Sequence, residues 1–430
     1  MNPQLSTGNA GRAPIHERAL DLAERFSAVR QQSLQLAQPL SPEDCALQSM
    51  PDASPVKWHL AHTTWFFETF ILEPALAGYR AFDAEFRVLF NSYYVAVGPR
   101  HPRPERGLLS RPPLSTVLEY RRHVDGEMLR LLERDALTPE QLGLLELGIH
   151  HEQQHQELIL TDLKHLLSRS RLKPAYLPPL AASRDDGPSA PVTWHSAPDG
   201  IRQIGHGAGG FAFDNEQPRH RVFIDSFKLA SRLVTNAEYL DFMAAGGYER
   251  ADLWLSEGWD ARNAHGWDSP LYWESRDGTW HTFTLRGMQP AALDEPVCHV
   301  SLFEADAYAR WAGARLPTEA EWETFASAMR IEGNFLEDGR YHPVPQTAVG
   351  AQPFGNVWQW TRSSYEPYPG FTTAAGAVGE YNGKFMSNQY VLRGGSCVTP
   401  RSHIRATYRN FFPASTRWQF SGIRLARDAG

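Results

Sequence analysis

Cysteine is nearly absent. Only Cys45, Cys298 and Cys397 occur in 430 residues, and they lie far apart. So sparse and odd a set builds neither a disulfide framework nor a thiolate zinc site, and it fits a reducing cytoplasm. Long apolar runs are missing too: no stretch of about 18 apolar residues is there to span a bilayer. The first residues, MNPQLSTGNAGRAPIHERAL, lack an apolar signal core. Excess positive charge is also lacking. With a net charge of −7, no long Lys/Arg run and no zinc-finger spacing, neither nucleic acid nor membrane is an expected partner.

What is abundant is histidine and aromatic side chains: 17 His, and 12% Phe, Trp and Tyr, with 13 Trp among them. Hydrophobic residues at 42% suffice for a full core, and the length predicts two or three domains.

The chain has two halves with different patterning. Residues 15 to about 168 read as four long amphipathic helices, which suggests a bundle. The first covers 15–38. The second opens at Ser54-Pro55, read as an N-cap followed by proline at the first helical position, and runs to about 77. The third follows Ser115 and ends near Asp135. The fourth opens on a Thr138/Gln141 capping box and continues to about 168. The link over 78–113 is long for a compact domain and carries NSYY at 91–94, so it is expected to be functional. Residues 177–192, rich in Pro, Ser, Ala and Asp, mark a boundary between a helical domain over 1–180 and a second domain over 193–430. Beyond it the pattern is short β-like runs with many Gly and Trp and two clear helices, 235–245 and 302–312. This half reads as a loop-rich α+β domain.

The fourth helix carries HHEQQHQE. His151 and His155 are four apart and so share one helix face, a spacing that lets two imidazoles reach one metal. Glu157 is rotated about 200° off that face, and His150 about 100°. Either His59 or His62, from WHLAH on the second helix, completes a three-histidine set. Three neutral imidazoles with open positions suit Fe(II), Cu or Zn, and spacing does not choose among them. His165 reads as a structural or surface residue.

Two motif sets carry a resemblance. LAH (60–62) with HEQQHQE (151–157) matches the HxxxHxE pattern of DinB-like bundles in sulfoxide synthases. FAFDNE (211–216), LVTNAEY (233–239), PVCHVSLFEADAYARWAGARLPTEAEWE (296–323), GNVWQW (355–360), LRGGSC (392–397) and GIRLAR (422–427) look like the formylglycine-generating-enzyme variant of the C-type lectin fold. Together, over about 15–427, they resemble the ergothioneine-biosynthetic sulfoxide synthases of the EgtB type. The resemblance implies a DinB-like four-helix bundle followed by a C-type-lectin-like domain, with the site where the two meet. It implies Fe(II) on His62, His151 and His155, and an O2-dependent oxidoreductase joining a cysteine-containing thiol to C2 of hercynine as the sulfoxide. His59→Ala is then expected to keep iron.

The same resemblance implies further roles. A tyrosine near iron serves the oxygen chemistry. Tyr93 and Tyr94 are the first candidates, because the long loop bearing them needs a reason to exist; Tyr365 and Tyr368, after GNVWQW, are the alternative. Gln154 and Asn410 match positions that contact hercynine. Arg103 and Arg106 match an arginine pair that holds a donor carboxylate. Phe412 stands where users of γ-glutamylcysteine carry an Asp, so free cysteine is the expected donor; γ-glutamylcysteine is the alternative. An ovothiol-type histidine sulfoxide synthase is disfavoured because no added methyltransferase domain follows, and an inactive lectin-like binding module because LAH and HxxxHxE are intact. Copper chemistry on a cysteine pair is not expected, since Cys397 has no second cysteine near it in the C-terminal region. Gln359 in GNVWQW removes a carboxylate that helps bind calcium in related domains. The expected partners are small molecules alone, and self-association into a homo-oligomer is left open.

Overall fold

A computed structural model describes residues 12–179, 187–374, 379 and 382–429. Part of the boundary stretch read at 177–192, namely 180–186, lies outside the described residues. The chain divides into two compact units, residues 1–166 and 167–430.

The first unit is helical. Its long elements are α1 (Arg12–Ala37), α2 (Val56–Phe67), α3 (Leu114–Glu133) and α4 (Pro139–Arg169), whose last residues pass the division at 166. All twelve residues of α2 are buried, so it forms the centre of the unit and packs against α1 and α3. A π-helical turn, Glu68–Leu72, follows α2 directly. At the start of α4 the expected capping box is present: Thr138 N–H donates to Gln141 Oε1 at 2.9 Å, and Gln141 N–H to Thr138 Oγ1 at 3.3 Å.

The start of α2 differs from the expectation. Pro55, not Ser54, holds the N-cap position, and Ser54 caps nothing. Its N–H donates to Asp162 Oδ2 at 2.8 Å and its hydroxyl accepts from Arg106 at 2.9 Å. Tertiary partners thus occupy the Ser54 groups that a local cap would have used.

α2 and α4 approach closely at Gly148. A Cβ there would lie 2.5 Å from the Phe67 ring and 2.8 Å from the Phe66 ring. Glycine therefore sets the spacing one turn before His151. A buried polar network ties the four helices together. Arg30 (α1) donates to Glu152 (α4) at 2.8 Å, to Asp125 (α3) at 2.6 Å and to Thr64 (α2) at 2.9 Å, and Arg121 (α3) donates to Glu152 at 2.9 Å.

The second unit is β-rich, with four short α-helices among the described residues. A four-stranded sheet runs β10–β9–β8–β11, with β8 (Trp358–Ser364) antiparallel to β9 (Tyr390–Arg393), β9 antiparallel to β10 (Asn410–Phe412), and β11 (Ser421–Gly422) parallel to β8. A three-stranded sheet joins β1 (Trp194–Ala197), β4 (Phe227–Ala230) and β12 (Ala426–Asp428); β2 (Gly200–Ile204) and β3 (His220–Ile224) form a two-stranded sheet, and β5 (Trp273–Arg276), β6 (Thr279–Thr284) and β7 (Gly287–Pro290) a second three-stranded sheet. Trp322, Trp358 and Trp360 are fully buried.

Of the helices, α5 (Asn236–Ala244) and α7 (Leu302–Trp311) were expected, and each starts on a reciprocal capping box, Thr235/Glu238 and Ser301/Glu304. α6 (Ser256–His265) and α8 (Glu319–Ala326) were not. Both left signals: α6 ends at Gly266 in the left-handed region, φ +62°, and α8 opens on the box Thr318/Glu321. Gln359 is held by three hydrogen bonds: its oxygen accepts from Trp322 Nε1 at 2.8 Å and Arg424 Nε at 2.6 Å, and its amide donates to the Pro353 carbonyl at 2.6 Å.

Candidate metal centre

His62 comes from the centre of α2 and His151 and His155 from α4. One ring nitrogen of each lies within 4.8 Å of the others. The rings form a near-equilateral triangle, with centroids 5.0 Å apart for His62–His151, 4.8 Å for His62–His155 and 4.7 Å for His151–His155. The i,i+4 spacing supplies one edge and the Gly148 approach supplies the other two.

The donor set fits a metal ion. His62 Nδ1 lies 2.6 Å from the Phe90 carbonyl, which can only accept, so Nδ1 carries the proton and Nε2 presents a lone pair. Among the described residues His151 Nδ1 is buried without a hydrogen-bond partner, an arrangement that a protein core rarely leaves unexplained. Burial, reinforced by His151, holds His62 well below the usual imidazole range; burial, then His151 and His62, does the same to His155. Burial brings His151 down to about 4. All three are therefore neutral at pH 7, the state a metal requires.

This has a measurable consequence for the metal-free protein. Below about pH 6.5 the unfolded chain takes up protons that the buried rings refuse. Stability is thus fully present above pH 6.5 and declines as pH falls toward 4. The expected loss is about 1 kcal/mol per histidine between pH 6.5 and 5.5. Urea midpoints across that interval measure it, and an unchanged midpoint would show that the rings are not buried neutral.

An aromatic wall surrounds the triangle. Trp58 and Trp65, one turn either side of His62, stack on it at 4.6 and 5.6 Å. Phe66 lies 5.0 Å from His151. Arg106, buried, stacks on the Trp58 ring with Cζ 3.3 Å from its centroid. Its terminal nitrogens donate to the hydroxyls of Ser54 and Ser92 at 2.9 and 3.1 Å; among the described residues its Nε has no partner and no carboxylate pairs with it. Burial and the neighbouring Arg103 bring its pKa down to about 9. Arg103 donates to the Tyr93 hydroxyl at 2.6 Å and to the Asp52 carbonyl.

The two loop tyrosines part company. Tyr93 turns to Arg103, while Tyr94 is buried against Trp65 and Phe70, with centroids 5.5 and 5.2 Å apart. Asn91 holds the turn between them, donating to the Tyr94 carbonyl at 3.1 Å and accepting from its N–H at 3.3 Å. Gln154 is half-buried on α4 between the two α4 histidines. Asn410 and Phe412 belong to β10 of the second unit, where Phe412 meets Trp418 edge-on at 6.0 Å. Tyr365, also in the second unit, stacks on Phe411 at 4.0 Å and accepts from Asn215 at 2.9 Å. Tyr368 accepts from Arg393 at 3.1 Å.

The chain matches the DinB superfamily over residues 25–159 and the sulfatase-modifying factor enzyme 1-like domain over 196–352 and 345–429. A hercynine oxygenase of Mycolicibacterium smegmatis is 33% identical, the match covering 95% of this chain and 98% of that protein. The hercynine oxygenase of Mycolicibacterium thermoresistibile is 31% identical over 95% of each. This chain belongs to the hercynine oxygenase family. The formylglycine-generating enzyme of Bos taurus, 27% identical, matches 56% of the chain. The three histidines of this hercynine oxygenase family member all fall within the DinB-superfamily segment. Two features of its centre went unread in the sequence. Gly148 gave a faint signal, a glycine in mid-helix; the pair His59 and Asp162, which meets His155 from behind, gave none. Among the described residues, no helix is long and apolar enough to cross a membrane.

Proposed function

We propose that the protein is an Fe(II)-dependent sulfoxide synthase that joins free cysteine to C2 of hercynine. The reaction balances as hercynine plus cysteine plus O2 giving hercynylcysteine sulfoxide and water. The imidazole C–H and the thiol S–H are lost, one oxygen atom enters the sulfoxide and the other leaves as water. The observation that carries the reading is the triangle of three buried, neutral imidazoles in a chain that matches hercynine oxygenases along 95% of its length. When bound, iron supplies the site at which both substrates and O2 react in proximity.

The chain's own residues would do the rest. Arg106, a buried cation with no carboxylate partner among the described residues, is suited to a substrate carboxylate by charge-assisted hydrogen bonds, with Arg103 beside it. Gln154 and Asn410 are assigned to hercynine. Tyr93 or Tyr94 would supply a proton or hydrogen atom to the oxygen chemistry. Tyr93→Phe or Tyr94→Phe is then expected to divert product from sulfoxide to simple thiol oxidation with metal content unchanged; an unchanged product ratio in both variants would move that role to Tyr365 or Tyr368.

The donor assignment rests on Phe412. A ring there cannot pair with the ammonium of a γ-glutamyl group, and leaving that charge unpaired in a partly buried site is unfavourable. The test is Fe(II)-loaded protein mixed with hercynine, O2 and equimolar cysteine and γ-glutamylcysteine, with products read by mass spectrometry. Hercynylcysteine sulfoxide should dominate. A dominant γ-glutamyl product would overturn the donor, and no coupled product from metal-loaded protein would overturn the activity.

A further inference from the structure

We infer that Asp162 and His59 form a hydrogen-bonded relay that fixes His155 in the tautomer presenting Nε2 to the metal, which makes both of them positioning residues for the centre. The inference rests on the reading that the three histidines hold a metal.

The geometry is a chain of three buried groups. His59 Nε2 lies 3.1 Å from Asp162 Oδ2, and His59 Nδ1 lies 2.8 Å from His155 Nδ1. His59 is 2% exposed and Asp162 5%. The Ser54 N–H donates to the same Oδ2 at 2.8 Å, which pins the carboxylate. The direction of the chain follows from donor counting. A carboxylate accepts, so His59 Nε2 carries the proton. A neutral imidazole protonated there has a lone pair at Nδ1. Only one proton fits between the two Nδ1 atoms, so His155 Nδ1 must donate it. The remaining nitrogen of His155, Nε2, is left with its lone pair. Reversing the chain would put a second proton on buried His59 or a proton on Asp162.

Helix periodicity explains why α4 can hold both ends of the relay. Asp162 lies seven residues, about two turns, beyond His155 and shares its face. His59 sits nearly one turn before His62 on α2, one layer further from the triangle. Thus α2 supplies one ligand, His62, and the support of another, while α4 carries that other ligand, His155, and the far end of the relay. His62 has a different device, the backbone carbonyl of Phe90. A carbonyl cannot be removed by substitution, whereas the relay can, so His155 is the ligand whose orientation side chains control. Such outer partners set ring orientation and raise ligand basicity, and removing one typically costs about 10–100-fold in metal affinity.

Co(II) is the probe, titrated into the full-length metal-free protein and its variants. His59→Ala should weaken Co(II) affinity about 10–100-fold while still binding one ion at saturation with an unchanged visible spectrum. His59→Gln, whose carbonyl oxygen can accept from His155 Nδ1, should recover to within about threefold of the parent by restoring that one bond. His150→Ala, on α4 beside the ligand His151, is the control and should bind as the parent does. Parent-like affinity in His59→Ala overturns the relay. A changed Co(II) spectrum in His59→Ala at saturation makes His59 a ligand and also overturns it. Failure of the parent itself to bind Co(II) is a separate result and sinks the metal reading. Should His59→Ala not fold, nitrogen-resolved NMR of the Zn(II)-loaded parent decides: His155 must carry its proton on Nδ1 and coordinate through Nε2, and coordination through Nδ1 overturns the relay.

Discussion

His62→Ala, His151→Ala and His155→Ala should each abolish stoichiometric metal binding and lower turnover by about 10³-fold or more. Removing one corner of the triangle leaves two imidazoles, and the two that remain no longer define a face. A bound metal contributes several kcal/mol to a reaction of this kind, and each 1.36 kcal/mol is a factor of ten in rate. Loss of the ion therefore means loss of three or more decades. The contrast is with neighbours of the same residue type. His150 lies one residue from His151 but hydrogen-bonds Arg25 at 3.3 Å, and His165 is tied to Ser49 at 2.7 Å. Alanine at either should leave metal content at one ion per chain. Metal analysis of purified variants beside product formation checks this. A His151→Ala protein that folds, binds one ion tightly and turns over within tenfold of the parent would refute the centre.

How far the sequence announced all this depends on the kind of contact. His151 and His155 were legible as a pair because four residues is nearly one helical turn, and the bundle was legible because α1 and α4 carry their own periodicity and, in α4, a capping box. The choice between His59 and His62 was not readable from periodicity. They are three apart on α2, and only the rotation of α2 against α4 decides which one reaches the triangle. Ser54 misled for a related reason: a Ser-Pro pair is a local helix-start signal, but the hydroxyl and the N–H were claimed by Arg106 and Asp162 from elsewhere in the unit. α8 was missed despite Thr318-x-x-Glu321, because its 8 residues are too short for a 3.6-residue period to stand out. The π-turn at Glu68–Leu72 has no sequence pattern of its own. It sits where Glu68 accepts from Tyr79 of the following loop at 2.9 Å and from Tyr120 of α3 at 2.6 Å, the second a contact that exists only after α3 has packed.

Glu152→Ala should destabilise the helical unit by about 3–5 kcal/mol, although the residue belongs to neither ligand pair. Glu152 is fully buried between the α4 histidines and faces away from the triangle, toward α1 and α3. Burial alone would raise its pKa, yet the guanidiniums of Arg30 and Arg121, with the Ser33 hydroxyl at 2.6 Å, hold it down at about 2. The carboxylate is therefore ionised throughout the working range. Its stabilisation is fully present above the ordinary Glu range and is lost progressively as pH falls from that range toward 2. Removing it leaves Arg121, 1% exposed, with hydroxyls and carbonyls but no counter-charge, and leaves Arg30 with Asp125 alone. An uncompensated buried cation is the costly product of breaking such a network, and the loss is a large share of the roughly 5–15 kcal/mol that holds a typical domain folded. Glu152→Gln keeps one acceptor and the same shape, so it should lose less, while the triple variant Glu152→Leu, Arg30→Met, Arg121→Met, which removes the three fully buried charges and leaves only the partly exposed Asp125, should be more stable than Glu152→Ala. That ordering separates charge compensation from simple packing. Urea unfolding of the four proteins at pH 7.5 measures it, and a Glu152→Ala midpoint within about 1 kcal/mol of the parent would mean that Arg30 and Arg121 find other partners, or water, and that the network does not hold the bundle together.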